Sequence, residues 1–310
     1  MIYTITFNPA IDYVVNVSNY CEGKVNRTTA EKIMPGGKGI NVSVVLKNLG
    51  IENTALGFKA GFTGDEIERL LRNDGIKTDF IPLKDGCSRI NIKLKAKTET
   101  EINAQGPQID ADAINDLYEK LYMLCDGDFL VLAGSIPKGL PDTMYCDIMR
   151  GLSGKKINFV VDAEKTLLEA VLEYKPFLIK PNHHELGEIF GRQLTDKVEI
   201  ARCAKELQKR GARNVFVSMA GEGGILAAES GDVMYTKAPE GKVINSTGAG
   251  DSAVAGFIAG YMADNDLNKA FLMGICAGSA SAFSTEFATK EEILGLMHGV
   301  RNVEYMEIRS

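Results

Sequence analysis

The sequence predicts an α/β fold in which helices cover both faces of a doubly wound, mostly parallel sheet, to which a small β-sheet lid is added. Short apolar runs alternate with helical patterns along most of the chain, as expected for strands joined by crossover helices. Two stretches, 11–35 and 87–104, show instead the period-two alternation of exposed strands. Glycine-rich loops follow strands or open helices, which is where such folds bind their ligands.

The strand and helix alternation begins at the N-terminus. Residues 2–7 form a β-rich run that Asn8 and Pro9 end, and the helix after "PGGKG" stops at Gly50. Further strands are predicted over 54–58, 128–134, 157–163, 177–181 and 214–221, and helices over 64–75 and 141–152. A helical pattern also follows each of the last three strands. This order predicts a parallel sheet with right-handed crossovers.

We assign the segments 11–35 and 87–104 to a lid inserted into a single domain that spans 1–310. In "DYVVNV" and "SRINIKLKAKTETEIN" polar and apolar residues alternate, which predicts strands with one face in water. A lid over the carboxyl ends of the parallel strands would cover a bound ligand. The segments bring no helix of their own to cover the other face, so we expect the lid to pair with its counterpart in a homodimer.

Composition and charge indicate a small-molecule partner. The 310 residues are 45% hydrophobic and 25% charged, as in ordinary globular proteins. A formal net charge of −6 argues against a broad nucleic-acid surface. The six cysteines form no C-x-x-C pair, and the N-terminus lacks the basic and apolar segments of a signal peptide. We therefore expect a cytoplasmic protein that binds neither nucleic acid nor membranes.

The stretch "GAGD" (248–251) stands directly before an apolar helix whose residues recur at helical spacing from 253 to 261. The N-terminus of a helix exposes unpaired N–H groups and the positive end of the helix dipole, which together attract anions. An anion site is one interpretation. A plain helix start, with Asp251 stabilising the dipole, fits the stretch alone equally well.

Two other glycine-rich loops are candidates for ligand contacts. "PGGKGIN" (35–41) surrounds Lys38 with glycines and matches neither the Walker A nor the G-x-G-x-x-G pattern, so a tight turn with a solvated lysine is the alternative. "SMAGEGG" (218–224) follows an apolar strand, where backbone N–H groups can bind nucleotide phosphates. A β-hairpin turn explains the second loop as well.

The segment "KPNHHELGEIFG" (180–191) ends a strand and begins a helix at Asn182. The adjacent histidines 183 and 184 point about 100° apart on a helix, and no third ligand is spaced to join them in a transition-metal site. Asn182 and Glu185 share a helix face and supply oxygens, which suits a magnesium ion that keeps its water. A capping box is the other interpretation of this pair.

Four motifs, "GGKGIN", "AGSIP", "KPNHHEL" and "TGAGDS", occur in the order and spacing of one enzyme family. Over essentially the whole chain, the sequence resembles the PfkB branch of the ribokinase-like sugar kinases. "NPAID" (8–12), "SRINIKL" (88–94) and "ETEINAQGP" (99–107) are most similar to bacterial 1-phosphofructokinases, and tagatose-6-phosphate kinases come next. The resemblance implies a ribokinase-like fold whose lid is often the dimer contact.

The resemblance also implies an activity. It indicates a kinase dependent on ATP and Mg²⁺ that phosphorylates the 6-hydroxyl of fructose 1-phosphate and forms fructose 1,6-bisphosphate. Tagatose 6-phosphate is the alternative acceptor, and a sugar-phosphate- or nucleotide-binding regulator without catalysis is a third hypothesis that the intact "GAGD" disfavours. A dehydrogenase is disfavoured because no G-x-G-x-x-G follows the first strand.

Site residues follow from the resemblance, position by position. Asp251 matches the base, and the anion hole for the transferred phosphoryl group matches Gly248, Ala249 and Gly250. The sugar contacts match Asp12, Gly37, Lys38 and Asn41, while Arg89 matches the residue that binds the acceptor's phosphate, assisted by Lys24, Arg27 or Ser135. The nucleotide region matches Lys180, Asn182, Ser218, Ala220, Gly221, Gly223 and Gly250, and the metal-organising pair is Asn182 with Glu185.

Physical chemistry supports these roles. Charge develops on the equatorial oxygens during phosphoryl transfer, so N–H donors at a helix start stabilise it. Arginine offers a fork that matches a phosphate. Asp251, beside a positive dipole end, is expected to be a weak base. Two departures from the family pattern stand out, because Ala220 replaces a glycine and residues 162–165 lack the serine and glycine of a D-x-S-G-E-like turn.

Overall fold

The computed structural model describes residues 1–163, 165–300 and 303–308. Its strands, in chain order, are β1 (Ile2–Thr6), β2 (Ala10–Asn16), β3 (Ala30–Gly36), β4 (Thr54–Lys59), β5 (Lys77–Pro82), β6 (Arg89–Lys95), β7 (Glu99–Ile102), β8 (Phe129–Ala133), β9 (Asn158–Asp162), β10 (Leu178–Ile179), β11 (Asn214–Ser218), β12 (Gly224–Ala227), β13 (Val233–Thr236) and β14 (Glu304–Tyr305). The helices are α1 (Lys38–Asn48), α2 (Gly61–Asn73), α3 (Ala111–Tyr122), α4 (Met144–Gly151), α5 (Lys165–Ala170), α6 (His183–Ile189), α7 (Lys197–Lys209), α8 (Ala249–Asp264), α9 (Leu267–Phe283) and α10 (Lys290–Gly299). Residue 164, in the turn that departs from the family pattern, lies outside the described residues.

The main sheet has ten strands in the order β14-β13-β12-β11-β10-β9-β8-β1-β4-β5. From β11 to β5 all neighbours are parallel, and β12, β13 and β14 add an antiparallel edge. The chain leaves β1 toward β4 on one side and returns to β8 on the other, so the strand order reverses between β1 and β8. This arrangement confirms the predicted doubly wound, mostly parallel fold, and ligands bind such folds outside the carboxyl ends of the strands at the reversal.

Side chains alternate across the main sheet and build two apolar layers. Leu130 and Leu132 of β8 join the layer under α3, α4 and α7, whereas Phe129 and Val131 join the layer under α1, α8 and α9. The small residues of α8 allow close packing, because a Cβ atom at Gly256 would lie only 2.6 Å from the Cβ of Ala277 on α9. Helix α8 is therefore buried over most of its length, and this packing fixes the position of its first turn near the carboxyl ends of the strands.

One part of the predicted alternation is wrong. A helix was expected after the strand at 214–221, but β11 ends at Ser218 and a short 3-10 turn, Ala220–Glu222, leads into the antiparallel β12. The hairpin interpretation of "SMAGEGG" is thus the correct one for the backbone. Gly223 closes the turn with φ at 90°, and a Cβ atom there would lie 2.0 Å from the carbonyl oxygen of Thr236. A short apolar run such as β12 cannot be told from a buried helix by periodicity.

The two lid segments form a four-stranded sheet in the order β3-β2-β6-β7. Strand β2 pairs antiparallel with β3 and parallel with β6, which places Asp12 beside Asn91 in the register. One face of this sheet is polar. The other carries isoleucines that remain exposed, namely Ile33 (52%), Ile90 (42%) and Ile102 (59%). Over the described residues, no helix is both long enough and apolar enough to cross a membrane.

Candidate active site

Four charged side chains meet beyond the carboxyl ends of the central strands, and we call them the core cluster. Asp162 ends β9, Lys180 follows β10, Lys38 begins α1, and Asp251 lies in the first turn of α8. The Asp162 Oδ1 atom lies 3.4 Å from Lys38 Nζ and 3.5 Å from Lys180 Nζ. Asp162, Lys180 and Asp251 are all buried. The fold therefore concentrates charge where parallel sheets bind ligands.

Asp251 has an unusually high pKa for a carboxyl group. Burial raises its pKa to about 7, and the negative charge of Asp162 adds to this effect. A hydrogen bond from Asn41 Nδ2 to Asp251 Oδ2, 2.8 Å long, acts in the opposite direction, as do the neighbouring lysines. The expectation of a weak base is wrong, because burial and the charge of Asp162 together raise the pKa of Asp251. A carboxylate with a pKa near neutrality suits a general base.

Asp162 is shifted the other way. Its burial would raise the pKa, but Lys180 and Lys38 outweigh burial and lower it, so this carboxylate stays ionised. Burial also works against the charge of Lys38, yet the carboxylates of Asp162, Asp251 and Glu185 outweigh it and raise the pKa of Lys38. The core cluster therefore holds permanent positive charge beside a titratable aspartate.

The start of α8 presents backbone N–H groups to the core cluster. Helix α8 has Gly248 at its N-cap with φ at 77° and no side-chain cap. A Cβ atom at Gly248 would lie 2.5 Å from the ring of Phe287, so only glycine fits. Among the described residues, the N–H of Ala249 bonds to Ser246, which leaves the N–H groups of Gly250 and Asp251 to face the site. With Lys180 over this turn, the helix start can bind an anion.

Glycines at and just before the start of α1 bring this helix close to the lid and to β1. A Cβ atom at Gly36 would lie 2.6 Å from Asp12 Cγ, and one at Gly39 would lie 2.5 Å from the carbonyl oxygen of Ile5. Gly37 is the N-cap of α1, with φ at 123°. This approach places Lys38, predicted among the sugar contacts, beside Asp162 in the core cluster.

A second group of polar side chains, the lid cluster, lies on the polar face of the lid. It consists of Asp12 on β2, Arg89, Asn91 and Lys93 on β6, and Glu101 on β7. Asn91 Nδ2 donates to Asp12 Oδ1 at 3.0 Å, and Lys93 Nζ lies 3.9 Å from Asp12 Oδ2. Burial raises the pKa of Asp12, and Lys93, Asn91 and Arg89 oppose this shift.

Arg89 is held by the backbone next to the lid cluster. Its Nε and Nη2 atoms donate to the carbonyl oxygen of Asn8 at 3.0 and 2.6 Å. Burial lowers the pKa of Arg89, while Asp12 opposes this, and the guanidinium remains charged at neutral pH. The remaining N–H groups of the fork stay free to bind a phosphate. The other predicted phosphate contacts, Lys24, Arg27 and Ser135, are exposed, and the described part of the chain provides no side-chain partner for them.

The predicted nucleotide residues lie at the ends of two adjacent strands. Asn182, just beyond β10, forms a parallel bridge with Ser218, the last residue of β11, and the Ser218 N–H donates to the Pro181 carbonyl oxygen at 3.1 Å. Gly221 lies exposed in the hairpin turn. Ala220, which replaces the family's glycine, has φ at 48°. This left-handed region favours glycine, so the replacement of the family's glycine by Ala220 strains the backbone at this turn.

Asn182 and Glu185 form the capping box that was the other interpretation of this pair. Asn182 Oδ1 accepts from the N–H groups of His184 and Glu185 at 2.9 Å, and Glu185 Oε2 accepts from Asn182 N–H at 2.7 Å. No group of three or more histidine, cysteine or acidic residues is arranged as a metal site within the described ranges. One oxygen of Glu185 stays outside the capping box, which suits an ion held mainly by water and phosphates.

Sequence reasoning missed four residues of the two clusters, namely Asp162, Asn91, Lys93 and Glu101. Asp162 is the last residue of an apolar strand, and a charged residue at a carboxyl strand end was a usable signal. Asn91 and Lys93 are polar residues that alternate with apolar ones in β6. Their spacing predicted one polar face, but not which partners that face would meet.

Comparisons with known proteins show which family the chain is similar to. A model of the pfkB family carbohydrate kinases matches residues 5–293. The 1-phosphofructokinase of Bacillus subtilis (strain 168) is 45% identical over 301 residues, covering 97% of this chain and 99% of the relative. The D-tagatose-1-phosphate kinase of Bacillus licheniformis is 39% identical over 285 residues, covering 92% and 93%.

A solved structure extends the similarity to three dimensions. The phosphofructokinase-2 of Escherichia coli, crystallised with substrates and products, superposes with a TM-score of 0.90 at 26% identity and covers 96% of this chain and 99% of that one. The predicted family is confirmed, because the family model and the relatives span almost the whole sequence. The chain belongs to the pfkB family of carbohydrate kinases.

Proposed function

We propose that this kinase transfers the γ-phosphoryl group of ATP to the 6-hydroxyl of fructose 1-phosphate. The products are fructose 1,6-bisphosphate and ADP. The observation that carries the proposal is the buried Asp251, with a pKa of about 7, beside an anion-binding helix start and two lysines. An enzyme that must take a proton from a hydroxyl at neutral pH needs such a base.

Each group has a role in the transfer. Asp251 takes the proton of the 6-hydroxyl as its oxygen bonds to the γ-phosphorus and the bond to the bridging oxygen of ADP breaks. Asn41 donates to the carboxylate of Asp251 and orients it. The N–H groups of Gly250 and Asp251, with Lys38 and Lys180, stabilise the charge on the phosphoryl oxygens. A regulator without catalysis would not need this combination.

The nucleotide would lie along the hairpin at 218–224 and the start of α8, with its phosphates at the core cluster. Bound Mg²⁺ would neutralise phosphate charge and align the γ-phosphoryl group. Mg²⁺ usually keeps several waters and takes few protein oxygens, so the free carboxylate oxygen of Glu185 fits such an ion. Asn182 would then act on the metal by orienting Glu185 through the capping box.

The acceptor would lie under the lid. Arg89 would bind its phosphate, and Asp12 would accept from a sugar hydroxyl. Among the described residues, Asn91 Oδ1 is buried without a hydrogen-bond partner, because the amide nitrogen of Asn91 is turned to Asp12. A buried acceptor of this kind needs a donor, which a hydroxyl of the sugar supplies. The lid cluster therefore suits a phosphorylated, hydroxyl-rich acceptor.

Tagatose 1-phosphate is the second candidate acceptor. The resemblance pointed to tagatose 6-phosphate, whereas the relative from Bacillus licheniformis is named for tagatose 1-phosphate. Tagatose and fructose differ only in the configuration of one hydroxyl, and both 1-phosphates leave the 6-hydroxyl as the acceptor. The names of the relatives thus favour a sugar 1-phosphate as the acceptor, with transfer to its 6-hydroxyl.

An ADP-release assay tests the proposal. Fructose 1-phosphate, fructose 6-phosphate, tagatose 1-phosphate, tagatose 6-phosphate and unphosphorylated fructose are compared by kcat/KM, with and without added Mg²⁺. We expect fructose 1-phosphate to give the highest value and the rate to require Mg²⁺. A preference for another sugar would overturn the acceptor, and no turnover with any of them would overturn the kinase activity.

We also propose that the chain works as one kinase domain that dimerises through its lid. The exposed isoleucines Ile33, Ile90 and Ile102 share the face of the lid that points away from the lid cluster. Such an apolar face is stabilised by a second copy. Sedimentation should show a dimer at micromolar concentration that Ile102→Lys weakens, while Met123→Lys, at an exposed position outside the lid, has no effect. A monomeric wild-type protein would contradict the dimer.

A further inference from the structure

The lid holds a largely buried lysine to which the proposed reaction gives no role. Lys93 lies on β6, on the same face as Arg89 and Asn91, and its side chain is only 12% exposed. Burying an ammonium group costs free energy unless it is paired. The partners of Lys93 therefore indicate what it does.

Two carboxylates pair with Lys93. Its Nζ lies 2.9 Å from Glu101 Oε1 and 3.9 Å from Asp12 Oδ2. Glu101 stands directly opposite Lys93 in the register of β6 and β7 and is 41% exposed. Asp12 is the deeper of the two, with 16% of its side chain exposed. Glu101 thus binds the ammonium at the rim and holds it within ion-pair distance of Asp12.

The carboxylate of Asp12 has little freedom to turn. Asn91 donates to its Oδ1 atom, Lys93 faces its Oδ2 atom, and the backbone at Gly36 is so close that even a Cβ atom would lie 2.6 Å from Asp12 Cγ. The orientation of this carboxylate is therefore decided by neighbours on three sides, and Lys93 is the one that carries a charge.

We propose that Lys93, anchored by Glu101, is a positioning residue that keeps Asp12 ionised and aimed at a hydroxyl of the acceptor sugar. The inference rests on the proposed function in placing the acceptor at Asp12. It extends that function, because a lysine that does not itself touch the substrate would then determine the pH range over which the acceptor binds.

The electrostatics of the lid cluster agree with this role. Burial raises the pKa of Asp12, Lys93 is the strongest opposing group, Arg89 also opposes, and Glu101 adds to the rise. Of the other elements packed on β2, β3 brings Lys32, which pairs with Glu286, and α2 brings the apolar Ile67. Removing Lys93 therefore makes Asp12 take up a proton at a higher pH, and a protonated Asp12 is a poorer acceptor.

Calorimetry of acceptor binding without nucleotide tests the proposal in Lys93→Met and in the wild type. Fructose 1-phosphate is titrated between pH 5.5 and 8.5, and the Kd of the variant is divided by the Kd of the wild type at each pH. Protonation of the sugar phosphate and of Asp251 occurs in both proteins and cancels in the ratio. We expect a ratio near its minimum at pH 8.5 that rises as the pH falls, toward a limit of roughly tenfold, because one opposite charge at about 4 Å shifts a carboxyl pKa by about one unit.

Lys95 provides a matched control. It pairs with Glu99 across the same two strands at 3.9 Å, as Lys93 pairs with Glu101, but it lies one pair farther from Asp12. Lys95→Met should bind the acceptor like the wild type at every pH. Lys93→Arg should restore most of the acidic-pH binding, and the KM for ATP should not change in any of these variants. If the melting temperature of Lys93→Met is lower than that of Lys95→Met, the titrations are made with Lys93→Gln instead.

Two outcomes would overturn the proposal. If Lys93→Met raised the Kd of the acceptor by the same factor at every pH, Lys93 would either contact the acceptor directly or only support the lid. A ratio of one throughout would show that Lys93 does not act on Asp12. A wrong choice of acceptor is recognised separately, because the wild-type protein would then not bind fructose 1-phosphate. In that case the same titration is made with the sugar phosphate that the ADP-release assay selects.

Discussion

Asp162 in the core cluster is buried and Asp12 in the lid cluster is half-buried, and both lie beside lysine, yet the pKa values of these two carboxyl groups are shifted in opposite directions. Asp162 has two ammonium groups within 3.5 Å of one oxygen, and its pKa is lowered. Asp12 has one ammonium group at 3.9 Å, shared with Glu101, and its pKa is raised. Burial acts in the same direction on both. The number and distance of positive partners therefore decide the direction in which each carboxyl pKa is shifted.

The difference separates a permanent charge from a titratable one. Asp162 already satisfies both lysines of the core cluster, so neither is fully available to Asp251. Asp251 consequently keeps a pKa of about 7 although Lys38 and Lys180 are close. One carboxylate of the core cluster holds the lysines and the other remains free to move a proton. The following predictions test this division of roles and its contrast with the lid.

Asp251→Asn should have the largest effect, a loss of roughly 10²- to 10⁴-fold in kcat, the range usual for a general base. In the wild type, kcat should fall below about pH 7 as Asp251 takes up a proton. Steady-state assays over pH 5.5–9 measure both effects. Asp264→Asn, at the exposed end of the same helix, should behave like the wild type. Turnover near the wild-type value in folded Asp251→Asn would contradict the base, and rescue by added Mg²⁺ would indicate a metal ligand instead.

The same substitution should raise stability at alkaline pH. Because folding raises the pKa of Asp251, the folded state binds more protons than the unfolded one between about pH 4 and 7. The contribution of Asp251 to stability is therefore fully present below about pH 4 and lost as the pH rises through about 7. Thermal melting at pH 5 and pH 8 should show the asparagine variant gaining most at pH 8. An equal difference at both values would contradict the raised pKa.

Asp162→Asn should cost about 3–5 kcal/mol of unfolding free energy, because it leaves the two lysines without their shared carboxylate. Asp12→Asn should cost far less, since folding already disfavours the charged form of Asp12. Urea denaturation at pH 7.5 measures both. The lowered pKa of Asp162 means that its contribution is present above the unfolded pKa and lost as the pH falls through the folded pKa. A larger loss for Asp12→Asn would reverse the comparison between the clusters.

Arg89→Ala should raise the KM for the sugar phosphate by roughly 10- to 100-fold and change the KM for ATP little. A charge-assisted hydrogen bond contributes about 1.5–3 kcal/mol, and Arg89 belongs to the lid side of the site. Arg89→Lys, which keeps the charge but loses the fork, should lie between the wild type and the alanine variant. Equal effects on the two substrates would place Arg89 outside the acceptor site.

Ala220→Gly should have the smallest effect, a stabilisation of up to about 1 kcal/mol. Glycine relieves the left-handed backbone at this turn but loses more conformational entropy on folding. Ala111→Gly, at the exposed start of α3, lacks the first effect and should destabilise the protein. Denaturant titration compares the two. Destabilisation by both would show that Ala220 is needed for its side chain.

Much of the candidate site could be predicted from local sequence. The segments "GGKGIN", "KPNHHEL" and "TGAGDS" each contain residues of the core cluster, since strand ends and helix starts are written in local patterns. The capping box at Asn182 and Glu185 is also local, and the structure contains it. Asp162 and Lys93 were not predicted as site residues, because Asp162 meets Lys38, and Lys93 meets Asp12, from distant parts of the chain.

The sequence by itself determined the alternation of strands and helices, the two lid segments and the glycine turns, because these depend on periodicity and backbone freedom over a few residues. Only the tertiary structure decided the direction in which the pKa of each aspartate is shifted. Helix position suggested a weak base at Asp251, but burial and the charge of Asp162 made its pKa about 7. Electrostatic interactions depend on distances across the folded chain, so the pKa values of Asp12 and Asp251 are raised and that of Asp162 is lowered, although each aspartate lies beside lysine.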